Sequence, residues 1–371
     1  MTERPPLTFR LANRKDDAQI RALLQRVDMP GAMSLAFTYE PDFFAAVEVE
    51  GAHTRVVVGE RGGAIVGMGL SAQRRLYVDG QPENVGYLGS LRGDPAERNG
   101  FGLLRAYRYF RDLEGTTPVR FYLSTIMEDS HAARRILTSR HAGLPQYHEV
   151  GLYRTLAFPL IRRRKPKADS RLQIVHGEQV GAAAIVAFLN TVGPEKQFFP
   201  VYDAEDIESS TGLLRGLRLS DFRVALAGDR IAGVMAGWDQ CAFRQHRVTG
   251  YSGVLRKLRP VLNLASKCLG AALFPSPGRP VQSFYAACIA IAANDAAVFR
   301  ALLRHMLYEM HGQGRDALMV GLAANDPLLQ AAQAWWHVTL SSRIYAVTWE
   351  EGSGLLRALQ GRVPYLELGS L

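Results

Sequence analysis

The hydrophobic and polar positions of the chain repeat one layout twice. An alternating run at 7–12 predicts a strand, and apolar residues spaced i, i+3, i+4 and i+7 within 16–27 predict one face of a helix. The same pair recurs as a strand at 171–175 and a helix at about 178–190. A polar and aromatic stretch that suits a second helix follows in each half, at 40–50 and at 203–217.

The best-matched parts of the two halves are hairpins. Residues 55–71 and 222–239 each contain two β-rich runs joined by a glycine-containing turn. Each hairpin is followed by a strand, a long helix, a strand, a short helix and a final strand. These elements are predicted at 85–91, 96–112, 119–126, 129–139 and 150–158, and again at 283–292, 294–312, 317–322, 326–336 and 342–349. The fold class is therefore α/β with mixed, mostly antiparallel sheets flanked by helices.

Length and charge agree with two tandem domains. The chain has 371 residues, 47% of them hydrophobic, whereas one domain usually takes roughly 100–200 residues. Five Lys and Arg residues within 162–167 suit an exposed linker, so we expect a first domain at 1–160, a linker at 161–170 and a second domain at 171–371. Because a solvated linker explains this run, the net charge of +9 is poor evidence for nucleic-acid binding.

Three unpaired cysteines and an N-terminus without an apolar leader predict a soluble, cytoplasmic protein with no spanning helix.

The segment 87–111 carries the most specific chemical signal. It combines a strand, a loop that ends in Gly100-Phe101-Gly102, and a helix with an apolar stripe. Glycines let the backbone approach a ligand closely, and a helix N-terminus offers unpaired N–H groups to a phosphate. Together with the element order, this segment resembles the GNAT superfamily of acyl-CoA-dependent N-acyltransferases, whose loop ends in Arg/Gln-x-x-Gly-x-Gly. The resemblance implies acetyl-CoA or another acyl-CoA as co-substrate.

The resemblance also implies which residues would bind coenzyme A. The end of the strand would pair with the pantetheine arm, and the loop and helix start would hold the phosphates, helped by Arg92, Arg98 and Arg105. The expected cofactor-binding residues are Ser90, Leu91, Arg92, Gly93, Arg98, Asn99, Gly100, Phe101, Gly102, Leu103 and Ser130. The loop departs from the family pattern, because Glu97 occupies the slot three before Gly100. The corresponding segment at 286–307 has no glycine, so the second domain is expected to be a degenerate copy.

Direct transfer of an acyl group to an amine needs a base for the ammonium and a proton donor for the departing thiolate. The family often supplies a Tyr from the helix at 129–139, and this sequence has none there. In the family the thioester lies between two strands that splay apart, here those at 85–91 and 119–126, and several residues near them could fill these roles. The catalytic candidates are Glu83, Tyr87, Asp129 and Tyr147, with Glu128, His131 and Tyr153 as further options. Purely structural roles stay open for each of them, and the His and Cys spacing predicts no metal site.

Residues 249–282 lie outside the repeat. From 254 to 274 leucines alternate with four Lys and Arg residues, which predicts a basic amphipathic helix disturbed at Pro260. The pattern is compatible with a helix laid over the domain, a homodimer contact, a substrate lid or docking at a membrane interface.

The resemblance therefore implies an N-acyltransferase, of the N-acetyltransferase type, that acts on the amine of a small molecule or peptide. Two alternatives remain open at this point. One is a catalytically inactive sensor that binds coenzyme A. The other is an aminoacyl-tRNA-dependent transferase, since some peptidoglycan-building enzymes also pair two GNAT-like domains.

Overall fold

A computed structural model describes residues 5–28, 33–97, 100–114, 119–139, 141, 143–166, 171–268, 274–349, 354 and 359–371. The basic linker is described as far as Pro166, so Lys167 lies outside these residues. Within the described residues, no helix is long and apolar enough to cross a membrane.

The first half follows the predicted order and adds one strand. Its main elements are β1 (Leu7–Leu11), α1 (Asp17–Arg26), β2 (Met33–Thr38), α2 (Phe43–Ala46), β3 (Ala52–Arg61), β4 (Ala64–Val78), β5 (Gln81–Gly93), α3 (Gly100–Glu114), β6 (Tyr122–Met127), α4 (His131–Leu137) and β7 (Gln146–Pro159). The added strand is β2. In α1, the side chains of Ile20, Leu23 and Leu24 are buried on one face, as the helical spacing predicts.

The second half repeats the order with small additions. Its main elements are β8 (Gln173–His176), α5 (Ala182–Val192), β9 (Lys196–Gln197), β10 (Phe222–Ala227), β11 (Arg230–Asp239), β12 (Gln245–Tyr251), α6 (Gly253–Cys268), β13 (Pro280–Val281), β14 (Ser283–Ile291), α7 (Ala296–Glu309), β15 (Ala317–Ala323), α8 (Leu328–Ala332), β16 (Val338–Thr348) and β17 (Val363–Pro364). The helix predicted at 203–217 is wrong. That stretch contains only a short 3-10 turn at Ala204–Asp206, because Glu208, Gly212 and Gly216 all have positive φ, which interrupts a right-handed helix.

Both halves contribute to one continuous sheet. Twelve strands follow the order β1-β3-β4-β5-β6-β16-β7-β15-β14-β11-β10-β8, which confirms the mixed α/β class. The strand that was predicted to end each half is exchanged: β16 pairs with β6 of the first half, and β7 pairs with β15 of the second. The two exchanged strands also pair with each other over eleven positions. The chain thus ties its halves together through the middle of the sheet.

A second, three-stranded sheet joins the halves at the surface. Its order is β13-β12-β2, so β2 from the first half pairs with β12 from the second. The side-chain amide of Gln245 reinforces this junction by donating to the carbonyl oxygen of Glu40 at 3.0 Å. Helix α6 follows β12 directly and corresponds to the amphipathic helix predicted within 249–282.

Candidate functional site

The cleft of the first half opens where β5 and β6 separate. The two strands are parallel and pair only at Gly86–Tyr122 and Tyr87–Leu123. Gly86 permits this close approach, because a Cβ there would lie 2.1 Å from the ring of Tyr122. Beyond the pair, the Oγ of Ser124 donates to the carbonyl oxygen of Leu88 at 3.0 Å, and among the described residues no backbone hydrogen bond joins the two strands past that point.

A β-bulge shapes the β5 wall of this cleft. Leu70 pairs with Gly89 and Met68 pairs with Arg92, so β5 contains one more residue than β4 over the same span. Ser90 absorbs the extra residue with a φ of 50°. A bulge re-aims the backbone groups and side chains beside it, so the region that the sequence assigned to the pantetheine arm is an irregular strand end.

The second half has the same strand geometry, but another part of the chain occupies its cleft. Strands β14 and β15 are parallel, pair from Ser283 to Tyr285, and β14 has a bulge at Cys288 with a φ of 52°. The backbone N–H of Cys288 donates to the Glu367 carboxylate at 2.9 Å, and the N–H of Ile289 donates to the hydroxyl of Tyr365 at 3.1 Å. The C-terminal segment, which we define as residues 363–371, therefore occupies the second cleft.

The helices that follow the two clefts also differ, because a side chain caps the helix after the second cleft and glycines begin the helix after the first. Helix α7 begins after Asp295, whose carboxylate accepts hydrogen bonds from the N–H groups of Ala297 at 2.7 Å and Val298 at 3.3 Å. Its first N–H groups are thus satisfied by its own cap. Helix α3 begins at Gly100, and Gly102 lies in its first turn. The sequence-predicted residues Arg98 and Asn99 lie outside the described residues.

A buried carboxylate lies beside β5, next to the bulge. A Cβ built on Gly89 would lie 3.1 Å from Oε2 of Glu50, and Glu50 is only 1% exposed. Its Oε1 is buried without a hydrogen-bond partner among the described residues. Burial raises the pKa of Glu50, and the nearby Arg244, Arg74 and Arg92 oppose that rise. Glu50 was not among the residues predicted from the sequence.

Two buried arginines hold Glu50 and the C-terminal segment together. Arg74 donates to the backbone carbonyl oxygens of Glu50 and Ser370, and its guanidinium lies 4.3 Å from the ring centroid of Tyr87. Arg244 lies 3.7 Å from the Glu50 carboxylate and donates to the carbonyl oxygen of Gly369 at 2.8 Å. The segment that fills the second cleft therefore also supports the polar wall of the first.

Tyrosines lie on both sides of the β5–β6 opening. Tyr147 on β7 shares a hydrogen bond of 2.7 Å with Tyr107 on α3, and burial raises its pKa to about 12. Tyr87 lies on the Glu50 side, and its hydroxyl is 3.3 Å from the hydroxyl of Thr125. Burial likewise raises the pKa of Tyr87. Both phenols are therefore protonated at neutral pH, as a proton donor must be.

The structure separates the predicted acidic candidates from the bulge. Glu83 lies near the start of β5 and pairs with Arg120 at 3.1 Å, about 20 Å along the strand from Ser90 at the usual rise per residue. Asp129 is exposed in the turn before α4, and no side chain caps that helix. Glu128 is held by Arg343 at 2.9 Å and Arg154 at 3.6 Å. None of these three carboxylates is placed beside Gly89.

The predicted coenzyme A residues fall into three groups. Ser90, Leu91 and Gly93 lie at the bulge and strand end, and the Leu91 side chain is 39% exposed. Arg92 turns toward the Glu50 side, with its guanidinium 5.7 Å from the ring centroid of Phe37. Arg105 donates to the carbonyl oxygen of Leu7 at 2.7 Å.

The remaining residues of this set belong to the helix starts. Gly100, Phe101, Gly102 and Leu103 form the first turn of α3, and Ser130 is the N-cap residue of α4. The negative charge of Glu97, which departs from the family pattern, is paired with Arg61 at 3.1 Å. That pairing reduces the repulsion Glu97 would exert on an anion at the loop. No group of His, Cys, Asp and Glu able to hold a metal is found in the described part of the chain.

Comparison with solved structures identifies the fold. The chain superposes on Saccharomyces cerevisiae N-myristoyltransferase with bound myristoyl-CoA at a TM-score of 0.57 and 11% identity, covering 95% of this chain and 86% of the other. It also matches a GCN5-related glucosamine N-acetyltransferase region of a fungal multi-domain GH3 beta-N-acetylglucosaminidase, at a TM-score of 0.55 and 12% identity over 92% of this chain and 38% of that one. No protein-family model and no curated protein matches the sequence. The fold is thus the tandem GNAT fold that the sequence pattern predicted.

Proposed function

We propose that this protein is an N-acyltransferase that moves an acyl group from acyl-CoA directly to an amine. One observation carries the proposal: of the two repeated clefts, the chain fills the second with its own Glu367 and Tyr365 and leaves the first lined by the bulge at Ser90. The filled cleft adjoins a helix that Asp295 caps, whereas the other adjoins a helix that begins with Gly-Phe-Gly.

The first cleft suits the shape and charge of an acyl-CoA. Gly100 and Gly102 let a phosphate approach the first turn of α3, whose N–H groups favour an anion. The Arg61–Glu97 pair keeps the loop from carrying an unbalanced negative charge. When bound, the acyl-CoA would supply the activated thioester. The residues assigned to it are Ser90, Leu91, Gly93 and the first turn of α3, joined by Arg98 and Asn99 on the sequence pattern alone.

Glu50 is the residue best placed to accept the proton of the acceptor ammonium. It lies against Gly89 at the bulge, its Oε1 has no described hydrogen-bond partner, and burial raises its pKa toward the range in which a general base works. Because Glu83 and Asp129 lie away from the bulge, we assign the role of general base to Glu50 instead of to these two candidates from the sequence.

Tyr147 is the proposed proton donor for the departing sulfur. It lies on the α3 side of the opening, and a pKa of about 12 keeps it protonated. Glu50 takes one proton from the ammonium, and Tyr147 gives one proton to the departing sulfur. The second proton that the nitrogen loses as the amide forms returns to Tyr147, and Glu50 then releases its proton to solvent, so the amide and the free thiol form without a covalent enzyme intermediate. Tyr87, stacked on Arg74, helps to position the Glu50 wall.

Calorimetry with acetyl-CoA and with myristoyl-CoA, the ligand of the yeast neighbour, tests binding and brackets the acyl length. We expect micromolar binding of one of them, abolished by Gly100→Trp. The matched control is Ala297→Trp, which places the same bulk on the exposed first turn of α7 and should leave binding unchanged. Absence of binding, or equal loss in both variants, would overturn the assignment of the first cleft.

Release of free thiol with a panel of small amines and N-terminal peptides then tests transfer. Turnover dependent on one acceptor class supports the enzyme and identifies the amine. Tight binding without turnover on any acceptor would instead favour a coenzyme A sensor.

A further inference from the structure

Helix α6 presents an apolar face to solvent. The side chains of Val254, Leu258, Val261 and Leu264 are 70%, 47%, 65% and 68% exposed. At 100° per residue these four positions fall within an arc of about 120° on one side of the helix. A surface helix of a globular protein normally turns such a stripe toward the core.

The opposite side of α6 faces the protein, where Leu255 and Leu262 are half-buried beside two polar side chains. Arg259 donates to the carbonyl oxygen of Phe274 at 3.3 Å and to the hydroxyl of Ser276 at 2.9 Å. Asn263 donates to the same carbonyl oxygen of Phe274 at 2.9 Å. The helix is therefore anchored through this side by hydrogen bonds and by partly buried leucines, and the anchoring keeps the apolar stripe turned outward.

The chain segment that contains this stripe carries positive charge only. From Gln240 to Asn294 the sequence contains seven Lys and Arg residues and no Asp or Glu. Four of the cations are exposed and form no ion pair among the described residues: Arg247, Arg256, Lys257 and Arg279. Lys257 lies within the apolar arc itself. An occupant of this face must accept apolar side chains and offer negative charge.

We propose that α6 docks the protein on an anionic lipid surface. A basic helix with an exposed apolar face inserts that face at the boundary between headgroups and acyl chains, while Lys and Arg contact anionic headgroups. A second copy of the chain suits this face poorly, because a two-fold contact would bring Lys257 and Arg256 against their own equivalents without any acidic partner in the segment.

The docking helix is structurally coupled to the first cleft. Helix α6 continues β12, and β12 pairs with β2. On β2, the ring of Phe37 lies under the guanidinium of Arg92, at the end of β5. One short sheet therefore connects the lipid-facing helix to the strand that lines the cleft.

The test is co-sedimentation of the full chain with vesicles of phosphatidylcholine alone and with vesicles containing phosphatidylglycerol. We expect binding to the second kind, weakened by added salt. The double variant Leu258→Glu/Val261→Glu should bind at least ~10-fold more weakly, since it removes apolar area and adds negative charge. The matched control is Ile136→Glu on α4, whose side chain is also 47% exposed; it should bind like the wild type.

Arg256→Glu/Lys257→Glu separates charge from apolar insertion and should abolish the preference for phosphatidylglycerol. Failure of the wild type to bind either vesicle, or equal binding by all variants, would overturn the proposal. Sedimentation without lipid checks self-association: a dimer that only the Leu258→Glu/Val261→Glu variant loses would assign the face to a second copy instead. Because the substituted side chains are exposed, each variant should keep the wild-type circular dichroism spectrum.

Discussion

The carboxylate of Glu50 lies so close to Gly89 that a Cβ on Gly89 would stand 3.1 Å from Oε2. If this carboxylate is the base, Glu50→Gln should lower kcat by ~10²–10³-fold, the usual contribution of a positioned acid or base. The affinity for acyl-CoA, measured by calorimetry, should stay within a factor of about two of the wild type because no phosphate contact is removed.

The control for Glu50 is a second glutamate that contacts the same strand. Glu83→Gln changes a carboxylate near the start of β5 that pairs with Arg120, and we expect it to leave kcat nearly unchanged. The reverse result, with loss in Glu83→Gln and none in Glu50→Gln, would restore the base that the sequence suggested.

The pH dependence of the rate provides an independent test of Glu50. A base acts in its ionised form, so the rate must rise as pH increases through its pKa. Burial raises the pKa of Glu50 above the ordinary value of 4.5. We therefore expect kcat/KM to rise along a limb centred above pH 4.5, and Glu50→Gln to lose that limb. A limb that persists in Glu50→Gln would belong to another group.

Glu50 illustrates where inference from the sequence ends. The sequence placed it correctly in a helical stretch at 40–50, and the structure shows α2 followed by a 3-10 turn at Val47–Glu50. Its contact with Gly89 spans 39 positions and depends on how that turn packs under β5. Periodicity reports which face of an element is buried, and it carries no information on contacts between distant elements.

More of the fold than of the site could be predicted from the sequence. The glycine-rich hairpins and the amphipathic helices have local signatures, so their positions were predicted within a few residues. The exchange of β7 and β16 has no such signature. The two strands have similar hydrophobic patterns, so either of them could pair at the edge of either half. The same reasoning applies to residues 363–371, whose role depends on a bulge at Cys288 that lies 75 or more positions earlier.

Glu367 is predicted to be a stabilising residue. Its carboxylate accepts hydrogen bonds from the N–H of Cys288 and the hydroxyls of Tyr202 and Tyr365, each at 2.9 Å. Glu367→Ala leaves three buried donors without an acceptor and should lower the free energy of unfolding by ~2–4 kcal/mol in chemical denaturation. The exposed Glu178→Ala should change it by less than ~0.5 kcal/mol. Equal stability of the two variants would show that the hydrogen bonds of Glu367 in the second cleft do not stabilise the fold.

The stability contribution of Glu367 should also depend on pH. Burial raises its pKa above 4.5 in the folded protein, so the folded state keeps a proton that the unfolded state has already released. Between pH 4.5 and that raised pKa, the free energy of unfolding should therefore fall as pH rises. Glu367→Gln cannot titrate and should show a shallower decline in urea titrations across this range. An identical slope in both proteins would contradict the assignment.

Two glycines on β5 provide a matched pair for packing at the base of the cleft. A Cβ on Gly86 would lie 2.1 Å from the ring of Tyr122, whereas a Cβ on Gly93 would meet nothing within 4 Å. Gly86→Ala should therefore cost ~1–3 kcal/mol of unfolding free energy through overpacking. Gly93→Ala should cost less than ~0.5 kcal/mol. Thermal unfolding of the two variants distinguishes them, and similar melting temperatures would mean that the strands can move apart freely.

The exchanged strands predict that neither half is stable alone. Without the second half, β6 loses the six residue pairs that it makes with β16, and β7 loses both of its neighbours. Unpaired strand edges associate readily with other chains, so residues 1–166 expressed alone should be recovered mainly as aggregate. Co-expression with residues 167–371 should restore a soluble complex with wild-type circular dichroism, because the cut falls after the last described linker residue, Pro166. A monomeric first half that unfolds cooperatively would show that β7 can fold back and pair beside β6 without the second half.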